Sequence, residues 1–102
     1  MGEFVVKMSK RALNDLEKLK QSKLSNKAKA LVDVLVENPY QNPPPYEKLI
    51  GNLRGFYSRR INRQHRLVYF IVEKGKQLGK SHRNNIATQN TIVVCSMWTH
   101  YE

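Results

Sequence analysis

Between Glu47 and Tyr69 the chain reads Glu-Lys-Leu-Ile-Gly-Asn-Leu-Arg-Gly-Phe-Tyr-Ser-Arg-Arg-Ile-Asn-Arg-Gln-His-Arg-Leu-Val-Tyr. One acid, Glu47, precedes Arg54, Arg59, Arg60, Arg63 and Arg66, and a histidine, His100, stands near the far end of the sequence. These residue types supply a base, a cationic clamp and an acid. Cutting RNA without a metal needs those three parts. A 2′-hydroxyl must lose a proton, the crowded phosphorus must be stabilised, and the leaving 5′-oxygen must gain a proton.

Each residue also has a plainer reading. Glu47 alone is an ordinary surface acid able to pair with Lys48 or a nearby arginine. Its place directly after the Pro43-Pro44-Pro45 loop and before the cationic segment favours a functional role. Arg66 falls on a predicted strand among apolar residues, where a guanidinium is either paired internally or aimed at an oxyanion. Arg60 reads equally well as a solvent-facing sheet position. Arg54, Arg59 and Arg63 read as docking charges for an RNA backbone, or as solubilising charge. The three histidines and Cys95 are too scattered to form a metal site by spacing. No metal and no cofactor are expected.

A resemblance joins these residues. The run Glu47-x-Leu49, Asn52-Leu53-x-Gly55-Phe56-x-Ser58-Arg59-Arg60-Ile61, His65-Arg66-Leu67-Val68-Tyr69 and the closing His100-Tyr101 resemble the Txe/YoeB family of type II toxins, within the RelE-like mRNA interferases. The resemblance implies that Glu47 is the catalytic carboxylate, that Arg66 steadies charge on the reacting phosphate with help from Arg60, and that His100 is the general acid. It implies that Tyr101 holds or stacks on RNA, and that Tyr57 is structural or an RNA-facing platform. His65 is expected to make a structural hydrogen bond, and His82 to play no part. The position three after the catalytic glutamate is often lysine in that family and is Ile50 here, which weakens a second phosphate cation in the loop and leaves open whether Lys48 or Arg54 substitutes. The implied activity is ribosome-dependent cleavage of mRNA, with a cognate small antitoxin bearing an acidic segment as partner, and a homodimer left open. Two rival functions are a non-catalytic basic module that binds RNA or the ribosome, and a same-fold toxin directed at gyrase. Glu47 and His100-Tyr101 argue against both.

Charge points the same way. The net charge of +10 over 102 residues is unevenly spread. Residues 1–47 hold eight lysines or arginines against six acids, and residues 48–83 hold ten against Glu73 alone. Cations confined to one segment attract a polyanion through counterion release. They interleave with Phe56, Tyr57, Tyr69 and Phe70, which a merely solubilising face does not need. No basic amphipathic helix beside a hydrophobic one suggests a membrane, and no apolar run approaches the ~18 residues of a spanning helix. The expected compartment is the cytoplasm. Cys95 reads as a small buried hydrophobe.

The elements that must position the site follow from periodicity. Phe4, Val6 and Met8 predict a strand over 3–8, Ser9 a helix N-cap, and Ala12, Leu13, Leu16 and Leu19 a first helix. Leu24, Ala28, Leu31 and Leu35 predict a second helix, from about Ser22 or Ser25 to Asn38-Pro39. Three strands are expected at 54–61, 65–72 and 91–97, with a short hairpin at 62–64 and a polar hairpin excursion over 74–90. The order βααβββ predicts a single α+β domain over 1–102, with an antiparallel-rich sheet and two N-terminal helices packed on one face. The resemblance supplies its RelE-like form.

Overall fold

The computed structural model describes residues 4–77 and 86–99, the last two by backbone only. In chain order the elements are β1 (Val5–Met8), α1 (Lys10–Gln21), α2 (Ser25–Glu37), β2 (Tyr46–Lys48), a 3₁₀ turn (Gly51–Leu53), β3 (Tyr57–Arg60), β4 (Arg66–Val72) and β5 (Thr91–Thr99). The strands form one sheet in the order β1-β5-β4-β3-β2. The β1–β5 pair is parallel and the other pairs are antiparallel.

The Ser9 hydroxyl accepts from Ala12 N–H at 3.0 Å, the N-cap that its residue type predicts. Ala12 and Leu19 on α1, and Ala28, Leu31 and Leu35 on α2, meet Leu67, Tyr69, Ile92, Val94 and Met97 of the sheet in one apolar cluster. On β4, Leu67, Tyr69 and Ile71 alternate toward the helices, while Val68 and Val72 of the other face are buried as well. The opposite face of the sheet is left for the site.

The β5 inward residues break alternation: Ile92 and Val94 are followed by Met97. The pairing with β4 explains the slip, passing from Tyr69↔Val94 to Val68↔Ser96 and then to Arg66↔Thr99. A bulged strand leaves backbone groups without ladder partners, and α1 and its N-cap residue take them. The Ser9 hydroxyl donates to Cys95 C=O at 2.9 Å, and the Asp15 carboxylate accepts from Met97 N–H at 3.0 Å. Asp15 is 3% exposed, a burial that its polar type concealed in the sequence. Burial also pushes the Cys95 thiol up from its usual range.

Three expectations need correction. The strand read as 54–61 begins only at Tyr57. Residues before it fold into a reversal in which Gly55 takes φ +96° and Phe56 N–H donates to Leu53 C=O. The Pro43-Pro44-Pro45 loop does lead to Glu47, but Glu47 itself lies on an unexpected strand, β2, whose three residues are too few to show a period.

The third correction is Arg59, read as a docking or solubilising charge. Its exposure is 0%. Antiparallel pairing places Arg59 opposite Leu67, on the helix-covered side. A charge there must be satisfied internally, and it is. Its Nε donates to Tyr69 Oη at 3.2 Å, Nη1 to Pro44 C=O at 2.6 Å, and Nη2 to the carbonyls of Pro39 and Gln41 at 2.9 Å each.

The 62–64 hairpin is as expected, with Ile61 and Asn62 N–H both donating to His65 C=O. His65 is buried and its backbone N–H donates to the Asn62 side chain, in keeping with a structural residue. The 74–90 excursion closes as a hairpin root through Gly75, Lys76 and Ala87 and a Gln77↔Ile86 bridge. His82 lies outside the described residues.

Candidate active site

On the sheet face away from the helices, Glu47 of β2 stands opposite Ser58 of β3, which stands opposite Val68 of β4. One step along, Arg60 stands opposite Arg66. Alternation brings these residues to one side because each is two positions from the next on its strand, or cross-strand from it. The Arg66 Nη1 donates to Glu47 Oε1 at 3.1 Å and to Ser58 Oγ at 3.2 Å. Glu47, Ser58, Arg60 and Arg66, with Pro45 and Tyr46, line a cavity of about 270 Å³.

The ion pair is open to water on one side: the Glu47 side chain is 65% exposed and that of Arg66 20%. An exposed pair contributes only about 0–1 kcal/mol to stability. A phosphate can therefore take the guanidinium from Glu47 at little cost, leaving a carboxylate beside it. Ser58, buried at 1% exposure, gives Arg66 a fixed neutral neighbour. Its place in the Ser-Arg-Arg run is visible in the sequence, but its bond to Arg66 is visible only in the cross-strand register.

The remaining candidates are distributed as follows. Arg60 is exposed on this face. Arg54 follows the 3₁₀ turn and Arg63 lies in the β3–β4 bend, both exposed as docking charges would be. Tyr57 stacks on Tyr69 with centroids 5.6 Å apart and packs against Tyr46 at 5.8 Å and Tyr40 at 6.4 Å. Of its two expected roles, that packing supports the structural one. Ile50 is 85% exposed. Lys48 and Arg54 border a recess with Ile50 that is distinct from the one lined by Glu47, so neither residue lines the Glu47 cleft. His100 and Tyr101 lie outside the described residues; the residue before them, Thr99, pairs by backbone with Arg66. Among the described residues, no three His, Cys, Asp or Glu side chains gather where they could hold a metal ion, and no helix is long and apolar enough to cross a membrane.

Two helices on one face of a five-stranded mixed sheet, with an acid and arginines on the other, are the arrangement of the RelE-like fold. The chain belongs to the YoeB-like toxin family of bacterial type II toxin–antitoxin systems, whose profile matches residues 8–101. It is 38% identical over 52 residues to the Toxin YoeB of Synechocystis sp., a stretch spanning 51% of this chain and 60% of that protein. A YoeB–YefM complex from Staphylococcus aureus superposes with a TM-score of 0.67 at 30% identity, covering 96% of this chain and 98% of that one. A YoeB/ParE toxin from Agrobacterium tumefaciens shares the fold, with a TM-score of 0.75 at 21% identity over 96% of this chain and 100% of its own.

Proposed function

We propose that this chain is a ribosome-dependent mRNA endoribonuclease, working without a metal or cofactor as the toxin of a toxin–antitoxin pair in the cytoplasm. The observation that carries this reading is the Glu47–Arg66–Ser58 cluster, with Arg60 beside it, on the open face of a strongly cationic sheet. When the scissile phosphate meets Arg66, the Glu47 carboxylate takes the proton of the adjacent 2′-hydroxyl. The 2′-oxygen then attacks phosphorus, and Arg66 with Arg60 stabilises the phosphorane. The bond to the 5′-oxygen breaks as His100 protonates it, leaving a 2′,3′-cyclic phosphate and a 5′-hydroxyl. Tyr101 holds the RNA, while Arg54 and Arg63 dock on phosphates. The ribosome aligns the message for in-line attack. The inhibitor is a small antitoxin whose acidic segment folds onto the basic sheet; YoeB of S. aureus occurs both as a complex with YefM and as a dimer, which supports an antitoxin and a second copy as partners.

Primer extension on a message translated in a purified system tests the reading. Added protein should give discrete cuts on ribosomes and negligible cutting of free RNA, with chelator changing neither while ribosomes stay intact. Ribosome binding without any cut would make the chain a non-catalytic binding module. Loss of cutting in chelator would end the metal-free mechanism.

A further inference from the structure

One buried arginine holds the loop that leads to Glu47. Residues 39–45 connect α2 to β2 and have no helix or strand of their own. Their carbonyls at Pro39, Gln41 and Pro44 converge on one buried guanidinium, that of Arg59. The fourth polar contact, Tyr69 Oη, ties the same group to the centre of the sheet, and the Arg59 guanidinium carbon lies 4.8 Å from the centroid of the Tyr46 ring. Tyr46 is both the cross-strand partner of Arg59 and the residue before Glu47. A planar fork with five donors can hold several carbonyls at once, which an ammonium cannot.

We propose that Arg59 is a positioning residue for Glu47: it ties the 39–46 segment to β4 and so fixes where the carboxylate meets Arg66. This inference rests on the nuclease reading for its effect on rate, but not for its effect on structure. β2 is an edge strand of three residues, and its pairing with β3 is too short to hold the loop without help. The loop prolines limit how the chain can bend, yet they donate no backbone hydrogen bonds of their own. The internal anchor for the segment is therefore a side chain from the neighbouring strand.

The test compares Arg59→Lys, Tyr69→Phe and Arg59→Met with the full-length wild type by backbone hydrogen exchange, ribosome affinity and single-turnover cutting. In folded Arg59→Lys, amides of the β2–β3 pair should lose protection about tenfold or more while the β4–β5 amides hold, since local opening is separable from global unfolding. Tyr69→Phe, which removes one contact and keeps the ring, should show the same pattern in weaker form. Cutting by Arg59→Lys should slow by about 10²-fold, the size of effect that a small misplacement of a reacting group produces. Ribosome affinity should stay within about threefold, because a buried cation makes no phosphate contact. In a Glu47→Gln background Arg59→Lys should slow cutting no further, the non-additivity expected when one residue acts through another.

Unchanged β2–β3 protection in Arg59→Lys would overturn the proposal. So would a rate loss matched by lost ribosome affinity, which would return Arg59 to the docking charges. If Arg59→Met and Arg59→Lys both fail to fold, unchanged protection in Tyr69→Phe overturns it equally. A wild-type protein that never cuts message would defeat the nuclease reading alone, and the exchange pattern would still decide this one.

Discussion

Arg59 and Arg60 are neighbours on β3 with the same side chain, and the strand turns them to opposite sides. Arg59 goes to the helix side of the sheet, beneath the 39–45 loop, where exposure falls to zero and four backbone or hydroxyl oxygens take its donors. Arg60 goes to the open face beside Arg66 and the cavity lined by Glu47. The two faces spend the same charge differently. Inside, desolvation makes an arginine an architectural element whose partners must all be present. Outside, water keeps each pair weak, and weak pairing lets a phosphate take the cation away.

Substitutions should separate the faces. The largest effect is expected on the open face: Glu47→Gln keeps the shape and removes the base, so cutting should fall by about 10²–10⁴-fold, with ribosome binding kept and stability within about 0.5 kcal/mol. Single-turnover cleavage with a parallel melt reads both, and full activity would strike Glu47 from the chemistry. Next is the buried face: Arg59→Met leaves carbonyls and the Tyr69 hydroxyl without their donor and should cost about 3 kcal/mol. Denaturant unfolding measures it; a loss below about 1 kcal/mol would erase the contrast between the two arginines.

Smaller effects sharpen the contrast. Asp15→Ala strands the Met97 N–H inside the fold and should cost about 1–3 kcal/mol by the same measurement. Arg63→Glu should leave stability within about 0.5 kcal/mol. It should lower the slope of log affinity for ribosomes against log salt by about 1; the same slope for wild type and variant would remove Arg63 from the docking face. The smallest effect is a response to alkali. Burial raises the Tyr69 hydroxyl above 10.0 despite the opposing pull of Arg59, and raises the Cys95 thiol above 9.0. Each group holds its proton more tightly when folded, so its contribution is complete below those values and lost as pH climbs through the raised ones. Thermal melts should therefore be level through neutrality and fall above about pH 9, less steeply in Tyr69→Phe.

Much of this was legible in the residues. The helices, their Ser9 and Asn38-Pro39 limits and the inward alternation of β4 follow from periodicity, because burial on one side repeats along an element. The bringing together of Glu47 and Arg66 followed from resemblance, and the cross-strand register places them at contact distance. Less visible was anything decided across strands. Arg59 is polar in the sequence and core in the structure because three carbonyls from a distant loop reach it. Asp15 is buried because β5 bulges. β2 stayed hidden because three residues cannot display a period of two.

The strand order carries a consequence for how the molecule is made. β5 sits between β1 and β4, although among the described residues it is the last strand and β1 the first. A chain synthesised from its first residue onward therefore produces β1 and α1 long before the neighbour that receives them. The hairpin joining β3 and β4 is local and can close as soon as it is made. Val5 must wait for Thr91, and Asp15 for Met97, so both ends of the sequence meet in one late step whose long loop slows it. Arg66 has Arg60 beside it early but gains Thr99 only in that step. A nascent chain thus carries its cations through synthesis before the face that arranges them is complete.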